Sequence, residues 1–399
     1  MTPIADLRFL VVEDHPFQRW LFCNMLHEMG AKWVFPASDG NAALDILALP
    51  GPPIDVVLSD LDMPGMDGME LIRHMAERDH ATSLIVVSGA ERGIIATVEA
   101  MAREYGVSVL GAVEKPLSAR KLSALIDGHA LRQEEAHAGA ALHFGADEIR
   151  QGLRAGQFET YFQPKVELKT GALRGAEALL RWHHPGKGLI QPVHFIETAE
   201  ISGLIDDLTL FVTRTAAHSC VAWRRTGLDA SVAVNLSARC LADVTLAERL
   251  AGVLQESGLE PRYLILEVTE STATADVGRE LENLSRLRMR GFGLSIDDYG
   301  TGYSSMERLA RIPFTELKID RAFVKQALDQ ESSRAMVESS LELARKLGID
   351  AVAEGVETRE EWELLLSLGC RLAQGYLIAP PMNAAEFVDW IAISRKNRA

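Results

Sequence analysis

The chain has 399 residues, with 41 Lys+Arg against 56 Asp+Glu and a formal net charge of −15. Hydrophobic residues make up 47% and charged residues 24%, which excludes chain-wide disorder and leaves ample material for packed cores. Residues 1–127 hold 10 basic and 18 acidic side chains, a balance of −8, and the remainder carries the other −7, so neither part offers the basic face that binding to DNA or RNA needs. No apolar run reaches the roughly 18 residues of a membrane span. The N-terminal MTPIADLRFLVVEDHP has no basic region followed by a long apolar stretch, so it does not read as a signal peptide. Cys23, Cys220, Cys240 and Cys370 are scattered without CxxC spacing, which reads as free thiols rather than a zinc site or a disulfide framework. The expectation is a soluble cytoplasmic protein with no nucleic-acid or membrane partner.

Residues 7–12 (LRFLVV) form an apolar run ending in Glu13-Asp14, followed by a helical pattern through Met29 with Gly30 as its cap. Further runs at 54–59, 83–87 and 107–113 end at Asp60, Ser88 and near Lys115-Pro116. Strands alternating with helical segments imply a doubly wound parallel sheet, whose ligands bind at the carboxyl ends of strands. Residues 128–146 lose the strand pattern and read as a linker between residues 1–127 and 147–399. The second region repeats the alternation. Apolar runs at 160–166, 173–180, 231–234, 263–266, 292–296, 316–319, 349–353 and 372–378 give eight strands, the count of a (β/α)8 barrel.

Glu13, Asp14 and Asp60 would repel one another unless a cation sits among them, and their oxygen ligands suit Mg2+. Lys115 could pair with a phosphoryl group, and the Ser88 hydroxyl could donate to it. Residues 7–127 resemble a response-regulator receiver domain through Glu13-Asp14, LSDLDMPGMDG at 58–68, VSGA at 87–90 and EKP at 114–116. The resemblance implies a flavodoxin-like fold, phosphorylation of Asp60 by a sensor histidine kinase, and one Mg2+ held by Glu13, Asp14 and Asp60. It gives Ser88 and Lys115 the role of reading the phosphoryl group. The switch aromatic that receivers often place three residues before the lysine is Ala112 here.

In the barrel region the strand runs carry Glu177, Asn235, Glu267, Asp297-Asp298, Lys318, Asp320, Glu354 and Gln374 at or near their ends. Several carboxylates plus an amide on one face call for metal, and all-oxygen ligands select Mg2+ or Mn2+ over zinc. Two adjacent aspartates suit a two-metal phosphodiester hydrolysis site. His183-His184 look like ligands at first sight, but adjacent strand residues face opposite sides, which favours a structural role. The chain has no GxxxxGK[ST] loop, and its Gly291-Phe292-Gly293 precedes a strand rather than opening a helix, so nucleotide-fold fingerprints are excluded.

Residues 147–392 resemble an EAL domain, the cyclic-di-GMP phosphodiesterase family. The matching segments are YFQPKVEL (161–168), GAEALLRW (175–182), VNLS (234–237), LEVTE (266–270), IDDYGTGYSS (296–305), LKIDRAFV (317–324), AEGVET (353–358) and QGYLIA (374–379). The domain order resembles receiver–EAL response regulators of the RocR type, with a TIM-like (β/α)8 EAL barrel after the receiver. The resemblance implies hydrolysis of cyclic-di-GMP to linear pGpG with two Mg2+ or Mn2+ ions. Glu177, Asn235, Glu267 and Asp297 would hold one ion, and Asp297, Asp298 and Glu354 the other. It gives Lys318 the attacking water, with Glu354 as the other candidate for its deprotonation, and places Gln163, Arg181, Asp320 and Gln374 at the dinucleotide. Glu270 would anchor the loop at 297–302, which couples the metal site to a homodimer or tetramer through the EAL domain. The segment after QGYL, where a basic residue is common, reads Ala379-Pro380-Pro381-Met382. The rival reading is a catalytically inactive EAL domain serving as a receptor or scaffold. A diguanylate cyclase lacks its GGDEF-like segment here, and a transcription factor lacks a DNA-binding module.

Overall fold

The first strands lie where the apolar runs end in acids. A computed structural model describes residues 4–77, 82–89, 97–98, 101–102, 104–126, 144–269, 277–300, 309 and 311–396. The chain divides into two units, residues 1–142 and 143–399.

In the first unit β1 (Arg8–Val12), β2 (Trp33–Ala37), β3 (Val56–Asp60), β4 (Ser83–Ser88) and β5 (Ser108–Glu114) form one parallel sheet in the order β2-β1-β3-β4-β5. β1 is apolar on both faces because both are covered. Its Leu10 and Val12 join Val57, Leu71 and Ile72 in one core, and Phe9 and Val11 join Phe22, Leu26 and Leu58 in the other. Ala112 packs against the first of these cores, so no aromatic ring occupies that position of β5. β2 is a strand that the sequence pattern does not announce. Its WVFPA carries Pro36, which cannot donate to a ladder, and the strand tolerates it by lying at the sheet edge. Gly68 opens the helix Gly68–Glu77, where a Cβ would stand 2.3 Å from the Asp60 carbonyl oxygen. Only glycine lets that helix start so close to the end of β3.

The second unit is a closed barrel. Its strands are β6 (Phe158–Glu167), β7 (Leu173–His184), β9 (Ser231–Asn235), β10 (Leu264–Thr269), β11 (Gly293–Tyr299), β12 (Glu316–Ile319), β13 (Asp350–Ala353) and β14 (Leu372–Ala373). They run β6-β14-β13-β12-β11-β10-β9-β7, and β7 pairs back onto β6. The short β8 (Gly188–Ile190) hangs on β7. The eight expected strands are present, with two differences. β6 is antiparallel to both neighbours, β7 and β14, because the turn at 168–172 that joins it to β7 is too short for the crossover a parallel pair requires. The last strand stops at Ala373 instead of reaching Ile378, since Gly375 (φ +159°) turns the chain away. A Cβ there would fall 2.2 Å from the backbone N and O of Val356.

Long helices, among them Ile205–Arg225, Leu246–Ser257, Val277–Met289 and Glu331–Leu347, separate the parallel strands in sequence. Trp182 is fully buried, stacked on Phe158 at 5.0 Å, with its Nε1 donating to Gln157 Oε1 at 3.0 Å. Phe144, which the sequence pattern assigns to the linker, packs on Trp182 at 4.6 Å, and the helix Ala146–Arg154 follows directly. The rest of the expected linker falls almost wholly outside the described residues. Among the described residues, no helix is long and apolar enough to cross a membrane.

Candidate active site

Two acidic clusters stand at the carboxyl ends of strands, one in each unit. In the first, Lys115 Nζ donates to Glu13 Oε2 at 2.8 Å and to Asp60 Oδ2 at 2.6 Å. The other Asp60 oxygen accepts from the backbone N–H of Leu61 at 2.7 Å and of Asp62 at 3.3 Å. Glu13, Asp14 and Asp60 each bring a carboxylate oxygen within 4.8 Å of the others. Burial pushes the Glu13 carboxyl up, against the pull of Lys115. Burial also draws the Lys115 ammonium down, but Asp60 and Glu13 outweigh it and the net direction is up. Ser88 ends β4 beside this cluster, with its carbonyl accepting from the Lys115 N–H at 2.9 Å. The sequence pattern does not single out Arg19. Its Nη1 donates to the Glu13 carbonyl at 2.5 Å and the Asp14 carbonyl at 3.1 Å, clamping the acidic loop onto the first helix. Its spacing of five and six residues from those acids was the available signal.

In the barrel, Asn235 ends β9, Glu267 lies in β10, Asp297 and Asp298 near the end of β11, and Lys318 in β12. Glu354 follows β13 and Gln374 follows β14, so the strand order brings all of them to one mouth. Lys318 is 2% exposed and stands at the centre. Its Nζ is 2.7 Å from Glu354 Oε1, 3.0 Å from Glu267 Oε2, 3.1 Å from Asp297 Oδ1 and 3.6 Å from Glu177 Oε2. Glu177 is held from two further sides: Asn235 Nδ2 donates to Oε1 at 2.8 Å and Gln374 Nε2 to Oε2 at 2.6 Å. Gln374 Nε2 also reaches Glu354 Oε1 at 3.2 Å.

Adjacent strand residues should face opposite sides, yet Asp297, Asp298 and Glu354 bring carboxylate oxygens within 4.8 Å of one another. The backbone explains it. The register between β11 and β12 shifts between Ile296 and Tyr299, and Asp298 takes a left-handed conformation with φ +55°. This local irregularity turns the second aspartate back toward the first. Aspartate tolerates such a conformation better than most residues, at a cost of about 1 kcal/mol. The Asp298 N–H donates to Asp297 Oδ1 at 3.0 Å.

Five carboxylates (Glu177, Glu267, Asp297, Asp298, Glu354) against one ammonium leave four formal negative charges in a buried mouth. Burial draws Lys318 down, but the surrounding carboxylates hold it well above the ordinary lysine range. Burial drives Glu267 well up, takes Glu354 to about 8 and lifts Asp298 to about 6, with Asp297 and Asp320 adding to it. Glu177 moves the other way: burial raises it, and Lys318 with the Gln374 and Asn235 hydrogen bonds overcomes that.

The remaining expected residues are placed as follows. Gln163 sits across from Glu177 in the β6–β7 register and donates to the Ala379 carbonyl at 3.3 Å. The Ala379–Met382 segment is thereby tied to β6, and Met382 makes a bridge with Phe162. Arg181 is half-buried, bonded to the Leu180 carbonyl at 2.8 Å, with its guanidinium 5.8 Å from the Tyr161 ring. Asp320 caps the helix Arg321–Gln326 through the Ala322 N–H at 2.7 Å. Glu270 and residues 301–302 lie outside the described residues. His183 pairs with Glu159 at 2.7 Å and His184 with Glu148 at 3.0 Å, two separate partners as alternating strand faces require.

These shifts set the pH dependence of the metal-free fold. A carboxyl whose pKa is higher in the folded state binds more protons there, so its contribution is full below the unfolded value near 4 and is lost as pH rises through the folded value. For Asp298 and Glu354 the window runs from about 4 to about 8, and the raised Glu267 has the same sign. In calorimetry with EDTA, the barrel transition should fall in temperature between pH 5 and pH 8.5, and divalent cation should flatten the slope. A midpoint that rises across that window contradicts this charge distribution.

The EAL domain family model matches residues 146–381 and the response regulator receiver domain model residues 9–127. The chain is 38% identical to the cyclic di-GMP phosphodiesterase RocR of Pseudomonas aeruginosa, over 96% of this chain and 98% of that protein. Among solved structures it is similar to the PaMucR phosphodiesterase in complex with c-di-GMP, at 43% identity and TM-score 0.58, covering 60% of this chain and 98% of that one. It is also similar to the EAL enzyme Bd1971 in its cAMP- and cyclic-di-GMP-bound form, at 29% identity and TM-score 0.59, covering 69% of this chain and 77% of that one. On these matches the chain belongs to the EAL-domain family, with a response-regulator receiver domain preceding the barrel.

Proposed function

We propose that this protein is a phosphorylation-regulated cyclic-di-GMP phosphodiesterase that opens the ring to linear pGpG. The observation that carries the reading is the barrel mouth: five carboxylates around one buried lysine, in a chain that matches a cyclic di-GMP phosphodiesterase along nearly its whole length.

The donor set fits divalent metal. It is all oxygen, it carries four excess negative charges, and three of its carboxylates already converge within 4.8 Å. Glu177, Asn235, Glu267 and Asp297 would hold one Mg2+ or Mn2+, and Asp297, Asp298 and Glu354 a second. Bound there, the ions supply charge neutralisation for an anionic phosphodiester and acidify a water. Without them a dianionic substrate meets a mouth of its own sign.

The chain's own groups supply the rest. Lys318 Nζ is the fixed cation of the mouth and the donor that holds the attacking water. Glu354, whose carboxylate lies 2.7 Å from that ammonium, is the other group placed to take the water's proton. Gln374 and Asn235 fix the Glu177 carboxylate in one orientation, the kind of support that keeps a metal ligand preorganised. Arg181, Gln163, Gln374 and Asp320 place the dinucleotide. In the receiver, Asp60 accepts the phosphoryl group from a histidine kinase, Glu13, Asp14 and Asp60 would hold one Mg2+, and Lys115 and Ser88 contact the phosphoryl oxygens. The phosphoryl group takes over the Asp60 end of the Lys115 contact, and the two-state element it biases is coupled to the barrel through the assembled dimer or tetramer.

Chromatography of the full chain with cyclic-di-GMP and Mg2+ should show pGpG. EDTA should abolish it, and Glu177→Ala and Lys318→Met should each lower turnover by about 100-fold or more. Intact substrate with demonstrable binding would favour a receptor instead. A small phosphodonor should change the wild-type rate and leave the Asp60→Ala rate unchanged; a response that survives Asp60→Ala removes Asp60 as the phosphorylation site.

A further inference from the structure

The barrel has a second opening, at the amino ends of its parallel strands. A cavity of about 460 Å3 lies there, framed by the starts of β9, β11, β12, β13 and β14. Its volume falls in the range of small-molecule sites. Five of its lining residues are basic: Lys165, Arg174, Arg262, Arg288 and Arg371. Three are acidic, Asp229, Glu316 and Asp350, so the lining carries two net positive charges in a chain of −15.

Most of these charges are already matched. Lys165 Nζ meets Glu316 Oε2 at 2.5 Å, with both residues 3% exposed. Arg174 pairs with Glu167 at 3.2 Å, Arg262 with Glu260 at 3.0 Å, and Arg371 with Asp350. Two groups are left over. The second oxygen of Glu316, Oε1, is buried and has no hydrogen-bond partner among the described residues. Arg288 has no carboxylate partner among them; its Nη1 donates to the Phe292 carbonyl at 2.5 Å, and its buried Nε has no partner there.

An orphan acceptor and an unneutralised guanidinium, both on lining residues, specify the complement between them. The ligand must be an anion at one end and a hydrogen-bond donor at the other. A guanidinium fork matches the geometry of a phosphate better than that of most anions. A single carboxylate oxygen accepts from a hydroxyl.

We propose that this cavity is a binding site for a phosphomonoester of a hydroxylated body, in the size class of a sugar phosphate, separate from the hydrolytic mouth at the other end of the same strands. The phosphate engages Arg288 with the rim arginines, and a hydroxyl donates to Glu316 Oε1. No bond is made or broken.

Calorimetric titration of the full chain in EDTA tests it, since the metal-free hydrolytic mouth repels a dianion. Ribose 5-phosphate should bind about tenfold or more tightly than inorganic phosphate or ribose alone. Arg288→Ala should weaken it about tenfold or more, and Arg262→Glu, at an exposed rim position, should weaken it by a smaller factor. Both variants should retain the wild-type KM for cyclic-di-GMP. Absence of heat with all three probes means a solvent-filled cleft and overturns the proposal. Equal binding of phosphate and ribose 5-phosphate overturns the role of Glu316. Unchanged affinity in both variants places the binding elsewhere. The titration reads binding alone, so it stands whether or not the chain hydrolyses cyclic-di-GMP.

Discussion

One buried ammonium organises the barrel mouth. Lys318 is held by Glu354, Glu267 and Asp297 at 2.7–3.1 Å and by Glu177 slightly further out. A lone buried lysine would lose its proton, and buried carboxylates without a cation would gain theirs. Each makes the other tolerable, but one positive charge cannot match five. Burial, with the neighbouring carboxylates adding to it, raises the pKa values of Glu267, Glu354 and Asp298. Such a site is poised for cations and costs stability without them, a common trade where function and folding meet.

The fold serves that arrangement in specific ways. Parallel strands deliver their carboxyl ends to one opening, and the reversed strand β6 lets Gln163 face Glu177 across the seam. The bulge in β11 overrides the alternation of a regular strand and converts Asp297-Asp298 from opposed neighbours into a convergent pair. The receiver reaches a similar electrostatic solution with fewer parts. Lys115 bridges Glu13 and Asp60.

Much of this is legible in the chain itself. The acids at the ends of successive apolar runs mark both clusters, because an acid closing a buried strand must emerge at a sheet end. Less legible is what depends on backbone detail. β2 escapes the pattern through Pro36, whose cost vanishes only once the strand is known to lie at an edge. The reversal of β6 follows from turn length, a signal present at 168–172 but silent about direction until closure is known. Lys165 and Glu316 bond across the fold, 151 residues apart, and no local spacing announces them. The left-handed Asp298 is the clearest case, since nothing in an Asp-Asp dipeptide says that its second member will leave the strand conformation.

The charge excess of the two acidic clusters sets how many cations the carboxylates hold. Electron paramagnetic resonance of the full chain titrated with Mn2+ counts them directly. Three bound ions per chain are predicted, two of them lost in a Glu267→Gln, Asp297→Asn double variant and one lost in Asp60→Asn. Loss of one ion or none in the double variant would contradict a two-cation barrel mouth built around Lys318.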